Sequence, residues 1–579
     1  MANIMSLKSL RNKTSRNGFD LSSKRNFTAK AGELLPVKCW EVLPGDTFKI
    51  DLKSFTRTQP LNTAAFARMR EYYDFYFVPY DLLWNKANTV LTQMYDNVQH
   101  ATSLDPTRSF LLNGEMPYVT CEQIATYLNS VAADYGADYD KNYFGYSRGL
   151  CSAKLLEYLG YGNFYRYAES TGNEWDGNPL LQNLELNIFG LLAYQKIYSD
   201  HHRDSQWERV SPSTFNVDYL DGSSMNINFP ANFSEYYNMF DLRYCNWQKD
   251  LFHGVVPRQQ YGDVATVSAL SNVVLEGHNV VSNATTSSPN AFAIRLETGT
   301  ANVGSPLMAD ARFSVIALRQ AEFLQKWKEI TQSGNKDYKE QIEKHWNVSP
   351  GDGFSEMSTY LGGIANSMDI NEVVNNNITG ENAADIAGKG TGVGNGYINF
   401  NSQGRYGLIM CIYHCLPLID YTTDMVSPIF TKVNATDYAI PEFDRVGMQT
   451  VDLSLMSNGP VTDYAVSVDN TFLGWAPRYI EYKTDVDSSV GAFKTSLNSW
   501  VISYGNKALA DQLGNIDPNN EPQPSVAPLN YTMFKVNPNS LNPIFAVNVD
   551  SSIDTDQFLC SSFFDVKVVR NLDTDGLPY

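Results

Sequence analysis

The densest group of residues able to do chemistry lies in the stretch FDLRYCNWQKDLFHGVVPRQQYGD, residues 240–263. It places Arg243, Cys245, Lys249, Asp250 and His253 among aromatic side chains. A thiol acts as an activated nucleophile when a base lies within hydrogen-bond reach and a third group orients that base. Because the sequence marks no such third group beside the cysteine and the histidine, a structural role is favoured for this stretch.

Two further groups have the residue types of metal ligands. Cys411, His414 and Cys415 lie in an extended apolar segment, where the two thiols point to one face of a strand and the imidazole to the other. The sequence DHHRD, residues 200–204, could place one histidine and one aspartate on the same face of a helix end, but that supplies only two ligands. We therefore predict neither a metal site nor a cofactor.

The run GKGTGVGNG, residues 388–396, has glycine at every second position. This spacing matches neither the dinucleotide-binding nor the phosphate-binding loop pattern, and Lys389 is followed by Gly390 rather than by Ser or Thr. The run predicts a flexible loop tip. The sequence marks no glycosidase pair among its 63 acidic residues, so no enzyme activity is predicted.

Alternation of apolar and polar residues predicts strands at 47–53 and 564–569, and the aromatic segment 72–78 predicts a strand buried between layers. Long connections are predicted at about 100–180, 264–310 and 371–404. Apolar residues at helical spacing predict two helices over a β core, one with Leu184, Ile188, Leu191, Tyr194 and Tyr198, the other with Ile316, Phe323, Trp327 and Ile330.

The composition favours a protein that buries much of its surface against partners. Charged residues make up 18% of the 579 residues and aromatic residues 13%, which is little charge for a soluble chain. Tyr and Trp are enriched at interfaces. The seven cysteines form no evident disulfide framework, no apolar segment follows the basic N-terminus, and no apolar run is long enough to span a bilayer. We therefore expect synthesis in a reducing cytoplasm and no membrane insertion.

Charge is unevenly distributed along the chain. The formal net charge is −19, whereas residues 1–30 alone carry +6. The composition of this segment is too polar to offset the entropy of ordering by itself. We therefore predict a basic N-terminal arm at 1–30, separate from a single domain at 31–579. The cations of the arm are Lys8, Arg11, Lys13, Arg16, Lys24, Arg25 and Lys30.

A collinear series of segments over nearly the whole chain resembles one protein family. The series comprises EVLPGDTF (41–48), FYFVPYDLLW (75–84), AYQKIYSDHHR (193–203), LRYCNWQKDLFHGVVPRQQYGD (242–263), LRQAEFLQKW (318–327), LGGIANSMDINEVV (361–374), DYAIPEFDRVGMQ (437–449), LGWAPRYIEYK (473–483) and NPIFAV followed by DQF (542–558). The family is that of the major capsid proteins, or F proteins, of the Microviridae, small bacteriophages with circular single-stranded DNA.

The resemblance implies an eight-stranded antiparallel viral jelly roll with long loop insertions and a few helices. Because the first and last strands of a jelly roll share a sheet, segment 47–53 is expected beside 564–569. The resemblance also implies self-assembly into a closed T=1 icosahedral shell around the genome. Further implied partners are a DNA pilot protein, an internal scaffolding protein and a host surface receptor, with a glycan as one candidate. The chain would then reside in the virion, assembled in the bacterial cytoplasm.

If the resemblance holds, residues 240–263, which we call the central stretch, are expected to form a rigid wall of the shell. Tyr244 and Trp247 would be packing anchors, and Arg243, Lys249 and Asp250 would be paired within or between subunits. The basic arm would bind the genome or stitch neighbouring subunits, and both alternatives stay open. The competing class is a secreted carbohydrate-binding or carbohydrate-cleaving β-sandwich, suggested by the content of Tyr, Trp and Asn.

Overall fold

The computed structural model describes most of the chain in separate ranges. These are residues 15–63, 65–92, 115–136, 143–169, 175, 177–220, 225–227, 238–259, 280–282, 294–296, 315–335, 337–374, 386–445, 447–457, 472–505, 508, 531–545 and 556–574.

The described part is mainly β. Its strands, in chain order, are β1 (Asn17–Asp20), β2 (Ser23–Ala29), β3 (Leu35–Val42), β4 (Thr47–Thr58), β5 (Arg68–Pro79), β6 (Tyr118–Thr120), β7 (Glu185–Asn187), β8 (Val280–Ser282), β9 (Ile294–Leu296), β10 (Thr359–Val374), β11 (Ile386–Asn401), β12 (Gly407–Leu418), β13 (Asp420–Tyr421), β14 (Met448–Asp452), β15 (Phe472–Pro477), β16 (Ser503–Tyr504) and β17 (Phe558–Arg570).

The helices of the described residues are fewer. They are α1 (Tyr80–Leu83), α2 (Ala87–Leu91), α3 (Cys121–Ser130), α4 (Arg148–Leu159), α5 (Tyr165–Ala168), α6 (Phe189–Ile197), which continues as a π-helical turn (Tyr198–His202), α7 (Val315–Gln332), α8 (Tyr338–Trp346) and α9 (Leu453–Met456). The prediction of a mainly β fold with a few helices is confirmed at this level.

One curled antiparallel sheet organises the fold. Its strand order is β1-β17-β4-β11-β10-β5-β12-β3, and β2 pairs with β17 as well. Strand β4 pairs with β17 so that Leu52 lies opposite Phe564 and Thr47 opposite Val569. The expected placement of 47–53 beside 564–569 is therefore confirmed.

The core lies on the inner face of this sheet. On β4, Phe48, Ile50 and Leu52 are buried while the residues between them are not, because successive side chains of a strand point to opposite faces. The predicted strand at 72–78 lies within β5, and its last four residues are all buried. Helix α6 packs on β5 and β12 and covers the core from one side.

The prediction of a flexible loop at 388–396 is wrong, because this run lies in the long strand β11. Its glycines leave room for side chains of neighbouring strands. A Cβ atom at Gly394 would overlap the side-chain amide of Asn366, and one at Gly396 would lie 2.6 Å from Ile364 Cγ1. Glycine therefore occurs at every second position because side chains of neighbouring strands fill the space that a Cβ atom would take, and not because the chain turns there.

The helix expectations are partly confirmed. Helix α7 matches the pattern at 316–330, whereas α6 begins at Phe189 and not at Leu184, since β7 precedes it. The region 100–180, expected to be loop-like, contains α3 and α4 in its described part. Helix α3 begins with a capping box from Thr120 and Gln123, a local signal that the sequence carries.

The chain divides into two compact units. One comprises Met1–Gln259 and Glu356–Tyr579, and the other comprises Gln260–Ser355. The predicted excursion at 264–310 lies outside the described residues except for β8 and β9, which pair with each other. Among the described residues, none of the helices has the length and apolar character needed to cross a bilayer.

Candidate interface residues

Arg243 of the central stretch is buried and paired within the chain. Its Nε donates a hydrogen bond to Gln195 Oε1 at 2.8 Å, and its guanidinium lies 4.8 Å from the centre of the Tyr198 ring. The carboxylate of Glu208 lies 3.9 Å from Nη1. Helix α6 and its π-helical turn position the glutamine and the tyrosine, so this charge fixes the central stretch against α6.

Tyr244 and Trp247 are packing anchors inside the subunit. The hydroxyl of Tyr244 lies 3.8 Å from Cys151 Sγ, and its ring packs edge-on against Phe144 at 5.0 Å. The backbone N–H of Trp247 donates to the carbonyl of Phe534 at 2.8 Å. Both aromatic side chains are buried, so they stabilise the fold of this chain.

Lys249 and Asp250 differ in exposure. The side chain of Lys249 is 69% exposed and forms an ion pair with Asp204 at 3.3 Å. Asp250 accepts a hydrogen bond from the Tyr421 hydroxyl at 2.7 Å and another from the backbone N–H of His253. Burial opposes ionisation of Asp250, but the hydrogen bonds from His253 and Tyr421 outweigh it and lower its pKa. The aspartate therefore fastens a turn within the subunit.

Cys245 and His253 do not have the features of an activated nucleophile and base. Burial raises the pKa of the Cys245 thiol to about 12, so the thiolate that would attack a substrate is suppressed at neutral pH. The imidazole of His253 is hydrogen bonded through Nδ1 to the Tyr421 hydroxyl at 2.6 Å. These contacts favour the structural role expected for both residues.

The residues with metal-ligand character are engaged in other contacts. His414 of β12 stacks on Tyr72 with ring centres 4.9 Å apart, and its Nδ1 lies 3.8 Å from Asp74 Oδ2. Burial raises the pKa of Cys411 and Cys415 on the same strand. Within the described ranges, no three His, Cys, Asp or Glu side chains are arranged to hold a metal ion.

The two histidines of DHHRD also bond within the chain. His201 Nε2 lies 2.9 Å from the carbonyl oxygen of Ser358, and His202 Nε2 lies 3.0 Å from the Tyr76 hydroxyl. Burial lowers the pKa of both imidazoles, and His414 contributes to the lowering at His202. The π-helical turn thus joins α6 to the sheet.

Part of the predicted arm belongs to the sheet. Strand β2 pairs with β17 over its whole length, and Arg25 donates to the carbonyl of Tyr158 at 2.9 Å. Lys30 is buried and forms an ion pair with Asp556 at 2.9 Å. Residues 17–29 are ordered because β17 supplies the hydrogen-bond partners that the segment lacks alone.

The remaining cations of the arm are distributed differently. Lys8, Arg11 and Lys13 lie outside the described residues. Arg16 is exposed and donates to Thr47 Oγ1 at 3.0 Å, and Lys24 is exposed on β2. Among the described cations of the arm, Lys30 is buried in an ion pair and Lys24 is exposed, so these cations do not form one site.

Two buried ion-pair networks were not anticipated from the sequence. Lys154 Nζ lies 2.7 Å from Glu33 Oε2 and 2.8 Å from Asp556 Oδ2. Arg148 makes two parallel hydrogen bonds to Asp241, of 2.8 and 2.9 Å. The partners of Lys154 are 121 and 402 positions away along the chain, so no local pattern could have paired them.

The comparisons with known proteins agree with this structural assignment. The model of the family described as "Capsid protein (F protein)" matches residues 8–120 and 175–579. The capsid protein VP1 of Chlamydia phage 1 is 22% identical over 617 residues, covering 97% of this chain and 95% of the relative. The capsid protein VP1 of Bdellovibrio phage phiMH2K is 22% identical over 513 residues, covering 85% of each chain. The chain therefore belongs to the capsid protein (F protein) family of the Microviridae, the small single-stranded DNA bacteriophages.

Proposed function

We propose that this protein is the major capsid protein of a virion and assembles into a T=1 icosahedral shell enclosing a circular single-stranded DNA genome. The observation that carries the proposal is the family match, which extends over most of the chain in two long segments. A capsid subunit must bury large parts of its surface against identical neighbours. The aromatic, charge-poor composition agrees with that requirement.

We further propose that the curled sheet is the core of an eight-stranded jelly roll. Two features support it. The strands near the two ends of the chain, β4 and β17, lie side by side. Strand β10 pairs with β5 over residues 359–368 and with β11 over residues 369–374, so one strand joins the two halves of the sheet.

An exposed apolar patch supports contact between subunits. Ile429, Phe430 and Val433 are 72%, 80% and 82% exposed, and they lie close together in sequence. Exposed apolar side chains that lie near one another mark interaction sites more often than ones scattered singly over a surface. We assign this patch, residues 429–433, to a contact with a neighbouring subunit.

The other partners are proposed on the resemblance to the family. They are a DNA pilot protein, an internal scaffolding protein and a host surface receptor, with a glycan as one candidate. Residues 264–310 of this chain are proposed to make the host contact. Assembly in the bacterial cytoplasm belongs to the same proposal. Residues 1–14 are proposed to contact the genome or a neighbouring subunit through Lys8, Arg11 and Lys13. Deleting only residues 1–14 separates these roles without removing β1 and β2: loss of packaged DNA supports the first, and loss of assembly supports the second.

The protein acts structurally in this proposal and not as an enzyme. Its relatives in the comparisons are capsid proteins. In the central stretch, burial raises the pKa of the Cys245 thiol, and the His253 imidazole is hydrogen bonded to the Tyr421 hydroxyl. The alternative of a secreted carbohydrate-active sandwich loses its basis, because the family match accounts for the same Tyr-rich and Asn-rich chain.

Sedimentation of the full-length chain tests the proposal. The wild type should sediment as a uniform large particle. Phe430→Asp combined with Val433→Asp should sediment as folded subunits, because each substitution places a charge in the patch. Val490→Asp is the matched control and should leave assembly intact, because this side chain is 71% exposed but no other large apolar residue within five positions is exposed. A wild type that sediments only as a monomer would contradict the proposed function.

A further inference from the structure

One face of the curled sheet is exposed and carries most of its charge. On β4, the side chains that point outward alternate with the buried residues 48, 50, 52, 54, 56 and 58, and they include Lys49, Asp51, Lys53, Phe55 and Arg57. The same alternation holds on β17 and on the described part of β11. We call the outward side of β2, β17, β4 and β11 the cationic face.

The strand register aligns its residues in rows across the four strands. Residues directly opposite each other on paired strands share a face and lie about 5 Å apart. One row is Lys24, Phe563, Lys53 and Asn395, and the next row is Asn26, Ser561, Phe55 and Val393. An aromatic ring thus lies between two cations twice. Along β4, Phe55 lies between Lys53 and Arg57, and across the sheet Phe563 lies between Lys24 and Lys53.

The cationic face differs in charge from the chain as a whole. Its cations are Lys24, Lys49, Lys53, Arg57, Lys389 and Lys567, and its acids are Asp51 and Asp565. Asp20 of the neighbouring strand β1 lies opposite Lys567. Lys567 is ion paired with Asp20 and Asp565. In the part of the chain that the structure describes, the other five cations form no salt bridge. A net positive face thus stands on a protein of net charge −19.

The aromatic residues of the cationic face are accessible to a ligand. Phe55, Phe563 and Tyr397 are all exposed, and the Arg57 guanidinium lies 5.0 Å from the centre of the Phe55 ring. Proteins that bind single-stranded nucleic acid without sequence preference combine cations that contact the backbone with aromatic rings on which bases stack. In duplex DNA the bases are paired and stacked on one another, so they could not stack on these rings.

Charge complementarity indicates which ligand the cationic face binds. A second copy docking through the same face would bring like charges together, and a neutral partner would leave five cations desolvated without compensation. A polyanion with unpaired bases satisfies both the cations and the rings. We propose that the cationic face binds single-stranded DNA through phosphate contacts to Lys24, Lys53 and Arg57 and through base stacking on Phe55 and Phe563. This inference rests on the proposed function, and it names the surface that meets the genome.

Binding of a labelled oligothymidylate to dissociated full-length subunits, measured by fluorescence anisotropy over a range of salt, tests the inference. The charge variant combines Lys24→Gln, Lys53→Gln and Arg57→Gln. Its salt slope should become less negative by about 2, from about 0.7 per lost phosphate contact. Arg319→Gln with Lys326→Gln, two exposed cations of α7, is the matched control and should keep the wild-type slope.

The stacking variant, Phe55→Thr with Phe563→Thr, separates stacking from charge. Its affinity should fall by about 5-fold to 150-fold for each base that loses a ring, with the salt slope unchanged. Threonine suits an exposed strand position, and thermal unfolding of each variant checks the fold. Wild-type slope and affinity in the two variants would overturn the inference.

Assembly is scored separately so that the two proposals fail in different ways. If the wild type forms shells and the charge variant binds and packages DNA normally, the inference that the cationic face binds DNA is overturned. The proposed capsid role is then unaffected. Charge-variant subunits that bind DNA normally but no longer assemble would make the face a subunit contact, which also overturns the inference. A wild type that never assembles contradicts the capsid role, whatever its affinity for DNA.

Discussion

Replacing Lys154 by Met should strongly destabilise the subunit. The ammonium group of Lys154 on α4 lies between Glu33 and Asp556 and joins the segment after β2 to the residues just before β17. Burial disfavours the charged amine, but the two carboxylates outweigh this effect and hold the pKa of Lys154 well above its ordinary value. Methionine keeps the length of the side chain and removes only the charge.

The size of the expected loss in unfolding free energy follows from the burial of the three side chains. All three side chains are at most 2% exposed, so the substitution removes the ammonium from two buried carboxylates. Asp556 keeps its ion pair with Lys30, whereas Glu33 keeps a hydrogen bond from the Lys30 backbone N–H. Removing one partner of a buried ion pair costs about 3–5 kcal/mol of unfolding free energy. Lys483→Met is the matched control, because its ion pair with Asp444 has the same 2.7 Å distance but side chains 46% and 45% exposed. An exposed pair contributes about 0–1 kcal/mol.

Urea unfolding of dissociated subunits, followed by tryptophan fluorescence and by circular dichroism, measures both variants. Coincidence of the two signals is required before a free energy is extracted, since a chain of this size can unfold in more than one step. The Lys154 variant should unfold at a clearly lower urea concentration than the Lys483 variant. Equal midpoints for the two would refute the argument that the buried network holds the two ends of the chain together.

Three other predictions concern the remaining sites. Burial raises the pKa of Asp74 to about 6 and lowers that of His414 to about 4. As the pH falls from 6 to 4, Asp74 takes up a proton in the folded state, which stabilises the fold. His414 takes up a proton in the unfolded state over the same range, which destabilises the fold. Asp74→Asn should therefore make the unfolding free energy, measured by urea unfolding at each pH, fall more steeply on acidification, by up to about 1.4 kcal/mol per pH unit; an unchanged pH dependence would contradict this. Replacing Cys245 or His253 by Ala should cost about 1–3 kcal/mol in unfolding free energy, and hydrolysis of a glycan or peptide by the wild type that either variant abolishes would disprove their structural role. Shortening 264–310 should give shells that assemble but adsorb poorly to host cells, whereas failure to assemble would place this segment in the core.

The alternation of apolar and polar residues was sufficient to predict two strands of the sheet. Segments 47–53 and 564–569 have apolar residues at every second position, and both lie in strands of the sheet. Segment 388–396 has the same period, but its inward positions are glycines, which carry no hydrophobic signal. Its strand is specified by neighbours such as Asn366, which occupy the space above the glycines.

The contacts of the central stretch could not be predicted for a different reason. Composition indicated that Arg243 and Asp250 would be paired, but their partners, Gln195 and Tyr421, lie on separate elements far away in sequence. The basic arm shows the same limit. Its charge was evident, whereas the insertion of β2 beside β17 depends on a strand more than 500 residues later.

Electron cryomicroscopy of the purified full-length protein tests the central claim most directly. The capsid assignment predicts closed, uniform particles with icosahedral T=1 symmetry, in which the patch at 429–433 is buried between subunits. A population of dispersed monomers under conditions where the chain is folded, or open filaments without closed shells, would contradict it.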